Sequence, residues 1–228
     1  MKVSPSSSGY GVWSRTVYRA AGASRARGGA GGPRGGRLSG AGLALAAVLA
    51  AAVLAITLGP GLSHTVRRLG LPLSDDQVIR EQAAAKHLDP ALIAAVIYAE
   101  TKFDPRTSAA GAEGLMQILP STAHFLAHLS GGTRFTTSDL GTPAINVAYG
   151  SYYLRYLLDH YEGDEMLAVA AYNAGLANVD RWVAQASAEG KQLQVGEMPF
   201  GQTRAYVQRV LQAQREYRAL YAHQLGIG

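Results

Sequence analysis

The chain has no cysteine among its 228 residues. Disulfides, thiol nucleophiles and thiolate metal sites are excluded, so whatever folds is held by packing alone. Acidic residues are missing before Asp75, a stretch that holds nine of the 21 lysines and arginines. The formal net charge of +5 therefore hides a basic first third and a mildly acidic remainder, with 12 basic against 16 acidic residues from Asp75 onward. Strict apolar–polar alternation never runs long enough to predict a strand, and no internal repeat of solenoid period is found.

The basic first third divides in two. Arg15, Arg19, Arg25, Arg27, Arg34 and Arg37 stand among Gly, Ala and Ser, a composition that cannot bury a core, so residues 1–39 are expected to be a disordered cytoplasmic tail. Residues 40–61 carry no charge and are rich in Leu, Ala, Val and Ile. At about 1.5 Å per helical residue they would cross a hydrocarbon core of about 30 Å, as a transmembrane signal anchor. The arginines before it place the N-terminus in the cytoplasm and everything after His64 outside the membrane. A cleaved signal peptide is the rival reading, but its basic and apolar regions would both be unusually long. Arg27 to Arg37 has an Arg-Gly-Gly flavour without interleaved aromatics and abuts the span, so nucleic acid is not an expected partner.

After a linker, 62–73, residues 74–222 read as one all-α globule. Ser74-Asp-Asp-Gln77 has the spacing of a capping box and opens a helix toward Lys86. Asp89-Pro90 is a cap followed by a first-turn proline, and the helix runs to Glu100. Further helices are expected from Pro120 to about Leu129, from Thr142-Pro143 through Tyr149 and Tyr156, from Asp164 to Ala171, over Ala177–Ala186, and from Gln202 to about Ala222, with loop over 131–141.

Glu100 is the residue with chemical promise. Ile93, Val96, Ile97 and Glu100 fall on one helical face, so the carboxyl shares the side that seeks the core. Burial there disfavours its charged form and raises its pKa, as a general acid near neutral pH requires. The alternative is a surface glutamate on a frayed last turn. A second carboxylate, which glycosidases ordinarily need, is not evident: Asp104 reads as a turn residue, Glu113 lies among glycines, and Glu197 is the remaining candidate. His124 and His128 are four apart but have no accompanying carboxylate, so no metal is expected.

Four segments carry a resemblance. Glu100-Thr-Lys-Phe-Asp-Pro105 resembles the first motif, E-S-x-F-x-P, of the soluble lytic transglycosylase (SLT) family. Ser108-Ala-Ala-Gly-Ala-Glu-Gly-Leu-Met-Gln-Ile-Leu-Pro120 is similar to the second, Ala171-Tyr-Asn-Ala-Gly175 to the third, and Glu197-Met-Pro-Phe200 with Thr203-Arg-Ala-Tyr206-Val to the fourth. All four occur in family order over roughly residues 74 to 220. Two positions depart from the pattern: Thr101 replaces serine, and Gln202 replaces glutamate.

The resemblance implies a lysozyme-like fold and cleavage of the β-1,4 bond between N-acetylmuramic acid and N-acetylglucosamine in peptidoglycan, without cofactor. Glu100 would protonate the leaving oxygen and then serve as base toward the sugar's own C6 hydroxyl, leaving a 1,6-anhydro end. A tethered nucleophile explains why one carboxylate suffices. Ser108 and Gln117 are implied to hydrogen-bond acetamido groups, and Tyr172 to face a pyranose ring. Asn173 would contact sugar or cap its helix. Glu197 would orient Tyr206, Tyr172 or substrate, or form a structural ion pair. Met116 is core or cleft wall. A hydrolytic muramidase on the same scaffold and an idle wall-binding module are the rival functions.

Overall fold

The computed structural model describes residues 70–131 and 135–228. The expected tail and anchor lie outside them, and no helix among the described residues is long and apolar enough to cross a membrane. The elements in chain order are α1 (Asp76–Lys86), α2 (Pro90–Thr101), α3 (Pro120–Leu129), a 3-10 turn (Thr137–Gly141), α4 (Pro143–His160), α5 (Glu165–Ala174), α6 (Leu176–Ala188), a second 3-10 turn (Val195–Glu197) and α7 (Gly201–Leu225). Among the described residues the only β pairing is an isolated bridge between Glu113 and Ile118.

Several starts follow from local chemistry. Proline opens α2, α3 and α4, where its missing N–H costs nothing. The Asp89 carboxylate accepts from Ala91 N at 3.0 Å, and that of Asp164 from Leu167 N at 2.9 Å. The box expected at Ser74 does not form. Asp75 adopts a left-handed backbone (φ 55°), which delays the helix to Asp76, and Ser74 Oγ donates to the Asp75 carboxylate at 2.7 Å instead.

α2 is more deeply placed than a one-faced helix. Every residue from Ala91 to Ile97 is buried, so the face seen in the sequence is part of a helix enclosed on all sides. α7 is its principal neighbour, with α1 beside it. The two ends of α2 are fastened to α7: Gln214 Nε2 and Arg218 Nε donate to Asp89 at 2.7 and 2.9 Å, and Tyr206 Oη donates to Glu100. The packed unit also reaches beyond 74–222 at both ends. Leu71, within the expected linker, is buried, with its carbonyl accepting from Tyr221 Oη at 2.8 Å, and Leu225, past the other expected bound, is buried as well.

Candidate active site

Burial along α2 relaxes at its last turn, where Tyr98, Ala99 and Glu100 become partly exposed. The chain then reverses through two successive left-handed residues, Lys102 (φ 54°) and Phe103 (φ 64°). Buried Thr101, the family serine position, donates Oγ1 to Leu115 O at 2.8 Å and so ties the end of α2 to the following loop. Arg106 reaches back to the same end, donating to the carbonyls of Glu100 at 3.1 Å and Thr101 at 3.3 Å. A cation over unsatisfied helix carbonyls is favourable.

The loop from Ser108 to Leu119 is held by its own side chains and by one residue from α4. Ser108 Oγ accepts from Ala112 N at 3.0 Å. Gln117, itself left-handed (φ 50°), donates Nε2 to the carbonyls of Arg106 at 2.6 Å and Gly114 at 2.9 Å. Buried Asn146 accepts from Met116 N at 2.8 Å and donates to Glu113 O at 2.8 Å and Leu140 O at 3.0 Å. Gly114 permits this contact: with φ 72°, a Cβ there would stand 2.3 Å from Asn146 Nδ2 and 2.7 Å from Leu140 O. Met116 is wholly buried and is core, seated over Gly150, where a Cβ would meet its sulfur at 2.3 Å.

The Glu100 carboxyl accepts from Tyr206 Oη at 2.7 Å. Burial pushes its pKa up, against the Tyr206 hydrogen bond and the positive charges of Arg209 and Arg106, which pull it down. Burial and the Glu100 charge together hold the Tyr206 and Tyr172 hydroxyls protonated well above their ordinary range. Tyr172 Oη donates to Met116 O at 2.9 Å. Asn173 does not cap its own helix: its Oδ1 accepts from Thr203 Oγ1 at 2.9 Å, joining the end of α5 to the start of α7. Gln117, Leu119, Thr122, Tyr153, Tyr172 and Asn173 line a cleft of about 250 Å³.

Of the sequence-selected residues, Gln117, Tyr172 and Asn173 line this cleft, the Glu100 charge acts on Tyr172, and Ser108 buttresses the loop that carries Gln117. Glu197 is placed differently. It is exposed, accepts from Gln194 N at 3.0 Å and pairs with Lys191 at 3.3 Å, which holds its pKa below the usual carboxylate range. The contacts it makes are those of an ion pair and a turn cap. Glu113 accepts from Thr107 Oγ1 at 2.8 Å. The charged side chains that shift Glu100 are Arg209 and Arg106, both of which lower its pKa against the effect of burial. Sequence reasoning passed over Asn146, Thr203 and Arg106 as site-builders. Asn146 left a trace, as a poor helix former one turn into α4 between Ile145 and Val147.

The sequence profile described as "Transglycosylase SLT domain" matches residues 77–195. The soluble lytic murein transglycosylase of Salmonella typhimurium is 31% identical over 158 residues, 68% of this chain and 24% of that protein. The 70 kDa soluble lytic transglycosylase of Escherichia coli superposes with a TM-score of 0.63 at 26% identity, covering 71% of this chain and 26% of that one. The lytic transglycosylase Slt of Pseudomonas aeruginosa, solved as an inactive glutamate-to-glutamine mutant, gives 0.60 at 29% identity, covering 67% and 25%. The chain spans about a quarter of the length of these proteins.

Proposed function

Because the chain belongs to the transglycosylase SLT domain family, we propose that it is a peptidoglycan lytic transglycosylase with Glu100 as its single proton-handling group. The observation that carries this reading is the carboxyl at the exit of a buried helix, raised in pKa by burial and hydrogen-bonded by Tyr206 at 2.7 Å.

The chemistry follows from that environment. The protonated carboxyl gives its proton to the glycosidic oxygen as the bond to the muramic acid's C1 breaks. The resulting carboxylate then takes the proton from the same sugar's C6 hydroxyl as the C6 oxygen bonds to C1. One proton is lent and recovered, no water enters, and the product is a 1,6-anhydro end. Tyr206 keeps the carboxyl oriented in both states, because a hydroxyl donor serves the ionised and the neutral form. Arg106 and Arg209 limit the cost of the ionised intermediate state. In the cleft, Gln117, Tyr172 and Asn173 offer polar groups and a ring face to acetamido groups and pyranoses, while Ser108 braces the loop that carries Gln117. Glu197 orients the segment entering α7 through its turn contacts. The inactivity of a glutamate-to-glutamine mutant in the similar Pseudomonas enzyme supports a glutamate in this role.

The same reading puts the globule on the wall side of the cytoplasmic membrane, anchored by residues 40–61, a topology that rests on the charge and hydropathy of the sequence. The test is mass spectrometry of fragments released from peptidoglycan by the full chain and by Glu100→Gln. Anhydro-muramic ends that vanish in the variant are expected. Reducing ends, one water heavier, would make the protein a hydrolase, and undiminished release by the variant would remove Glu100 from the mechanism.

A further inference from the structure

A threonine inside a helix commonly returns its hydroxyl proton to the carbonyl one turn back. Thr101 does so in part, donating to Ile97 O at 3.2 Å. Thr203, in the first turn of α7, does not: its hydroxyl donates across to Asn173 Oδ1 at the end of α5, 2.9 Å away. Thr203 is 1% exposed, so little water competes for that hydroxyl. One turn further along the same face of α7, Tyr206 donates to Glu100. A single turn of one helix therefore touches both the acid and a wall of the cleft.

The consequence falls on the other end of the Asn173 amide. A primary amide has an acceptor end and a donor end, and with Oδ1 engaged by Thr203 the end left to the cleft is Nδ2. Nδ2 has no hydrogen-bond partner within the protein and is not sealed from solvent. Gln117, the other side-chain amide lining the cleft, gives its Nε2 group to the carbonyls of Arg106 and Gly114. Tyr172 gives its hydroxyl proton to Met116 O. Of the two side-chain amides, Asn173 alone keeps its N–H groups free. Without the Thr203 hydroxyl nothing described would stop that amide from turning end for end and presenting an oxygen instead.

We propose that Thr203 is a positioning residue, which holds Asn173 by its Oδ1 so that Nδ2 donates to an oxygen of the bound substrate. Thr203 itself touches no substrate. The proposal rests on the glycan-cleaving reading of the cleft. It gives α7 a part in binding, through Thr203, that is separate from its part in proton transfer, through Tyr206.

The test compares kcat and KM of the full chain in detergent micelles on soluble peptidoglycan strands. Thr203→Val keeps the shape and loses the hydroxyl. Its KM is expected to rise about tenfold, equivalent to ~1.4 kcal/mol, a size that one hydrogen bond supplies. Its kcat and the alkaline limb of its pH profile should stay put, because Tyr206 still holds Glu100. Thr203→Ser should restore the parent KM. Asn173→Ala should raise KM by the same factor, and adding Thr203→Val to it should raise KM no further, since the hydroxyl acts only through the amide. Asn173→Asp still accepts from Thr203 but turns an oxygen to the cleft, so it should bind no better than Asn173→Ala. An unmoved KM or a fall in kcat alone in Thr203→Val, additive effects in the double variant, or a parent-like KM in Asn173→Asp would overturn the proposal. Binding of a β-1,4-linked amino-sugar hexasaccharide to chains carrying Glu100→Gln separates the proposal from the reading beneath it. Affinity lost with Thr203→Val, in a protein whose parent cuts no wall, would keep the role of Thr203 and remove the catalysis. Cutting by a parent whose binding ignores Thr203 would do the reverse, and a parent that neither cuts nor binds would remove both.

Discussion

Replacing Asn146 by alanine should damage the protein far more than its distance in sequence from Glu100 implies. The side chain makes three hydrogen bonds, to Met116 N, Glu113 O and Leu140 O, at 2.8, 2.8 and 3.0 Å. At roughly 0.5–1.5 kcal/mol net each, and with a buried Met116 N–H left unpaired, the loss comes to about 3 kcal/mol. For a domain of this size that lowers Tm by about 6–12 °C. The substitution Asn146→Asp separates hydrogen bonding from volume. It keeps the shape and the acceptor for Met116, yet turns a carboxylate oxygen toward two carbonyl oxygens. It should therefore be at least as destabilised at neutral pH, and should regain stability in mild acid, where a protonated carboxyl can donate again. Thermal unfolding at two pH values, with circular dichroism to confirm the helical fold, reads all of this. An Asn146→Asp protein as stable as the parent at pH 7, or an alanine variant losing less than about 2 °C, would show that Asn146 does not pin the loop.

Tyr206→Phe removes the hydrogen bond that favours the Glu100 carboxylate. Its pKa should rise further, and the pH at which kcat/KM falls on the alkaline side should move upward; a shift downward, or none, would refute the coupling. Glu100→Gln should be more stable than the parent near neutral pH. The folded carboxyl has a raised pKa, so the stability its protonated form contributes is complete below the unfolded value of about 4.3 and is lost as pH rises through the folded value. A neutral amide avoids that loss, so the difference between the two proteins should close in acid, and a variant less stable at pH 7 would contradict the account.

The helices were legible where a single residue decides a boundary. Pro90, Pro120 and Pro143 open their helices as their backbone chemistry requires, and Asp89 and Asp164 cap as short acceptors do. Ser74 failed because a capping box depends on the backbone of the residue beside it, and Asp75 went left-handed. Glu100 was visible as a carboxyl on an apolar face, although the enclosure of α2 on every side was not, since a helix face says nothing about what covers the opposite one. The partners of the site were beyond reach of pattern. Tyr206 meets Glu100 across 106 positions and Asn146 meets Met116 across 30, pairings that exist only once helices have packed. Glu197 illustrates the converse: membership of a motif conveys position in the chain, whereas the exposed contacts to Lys191 and Gln194 arise from the local turn.

The double attachment of α2 to α7 bears on the protein's life before it is finished. Asp89 and Glu100 are fastened by Tyr206, Gln214 and Arg218, residues more than 100 positions later in the chain. A nascent chain emerges from its N-terminus, so a polypeptide halted between residues 101 and 200 carries Glu100 without the helix that orients it. On the proposed reading, such a chain would lack the Tyr206 contact that orients Glu100 until α7 docks.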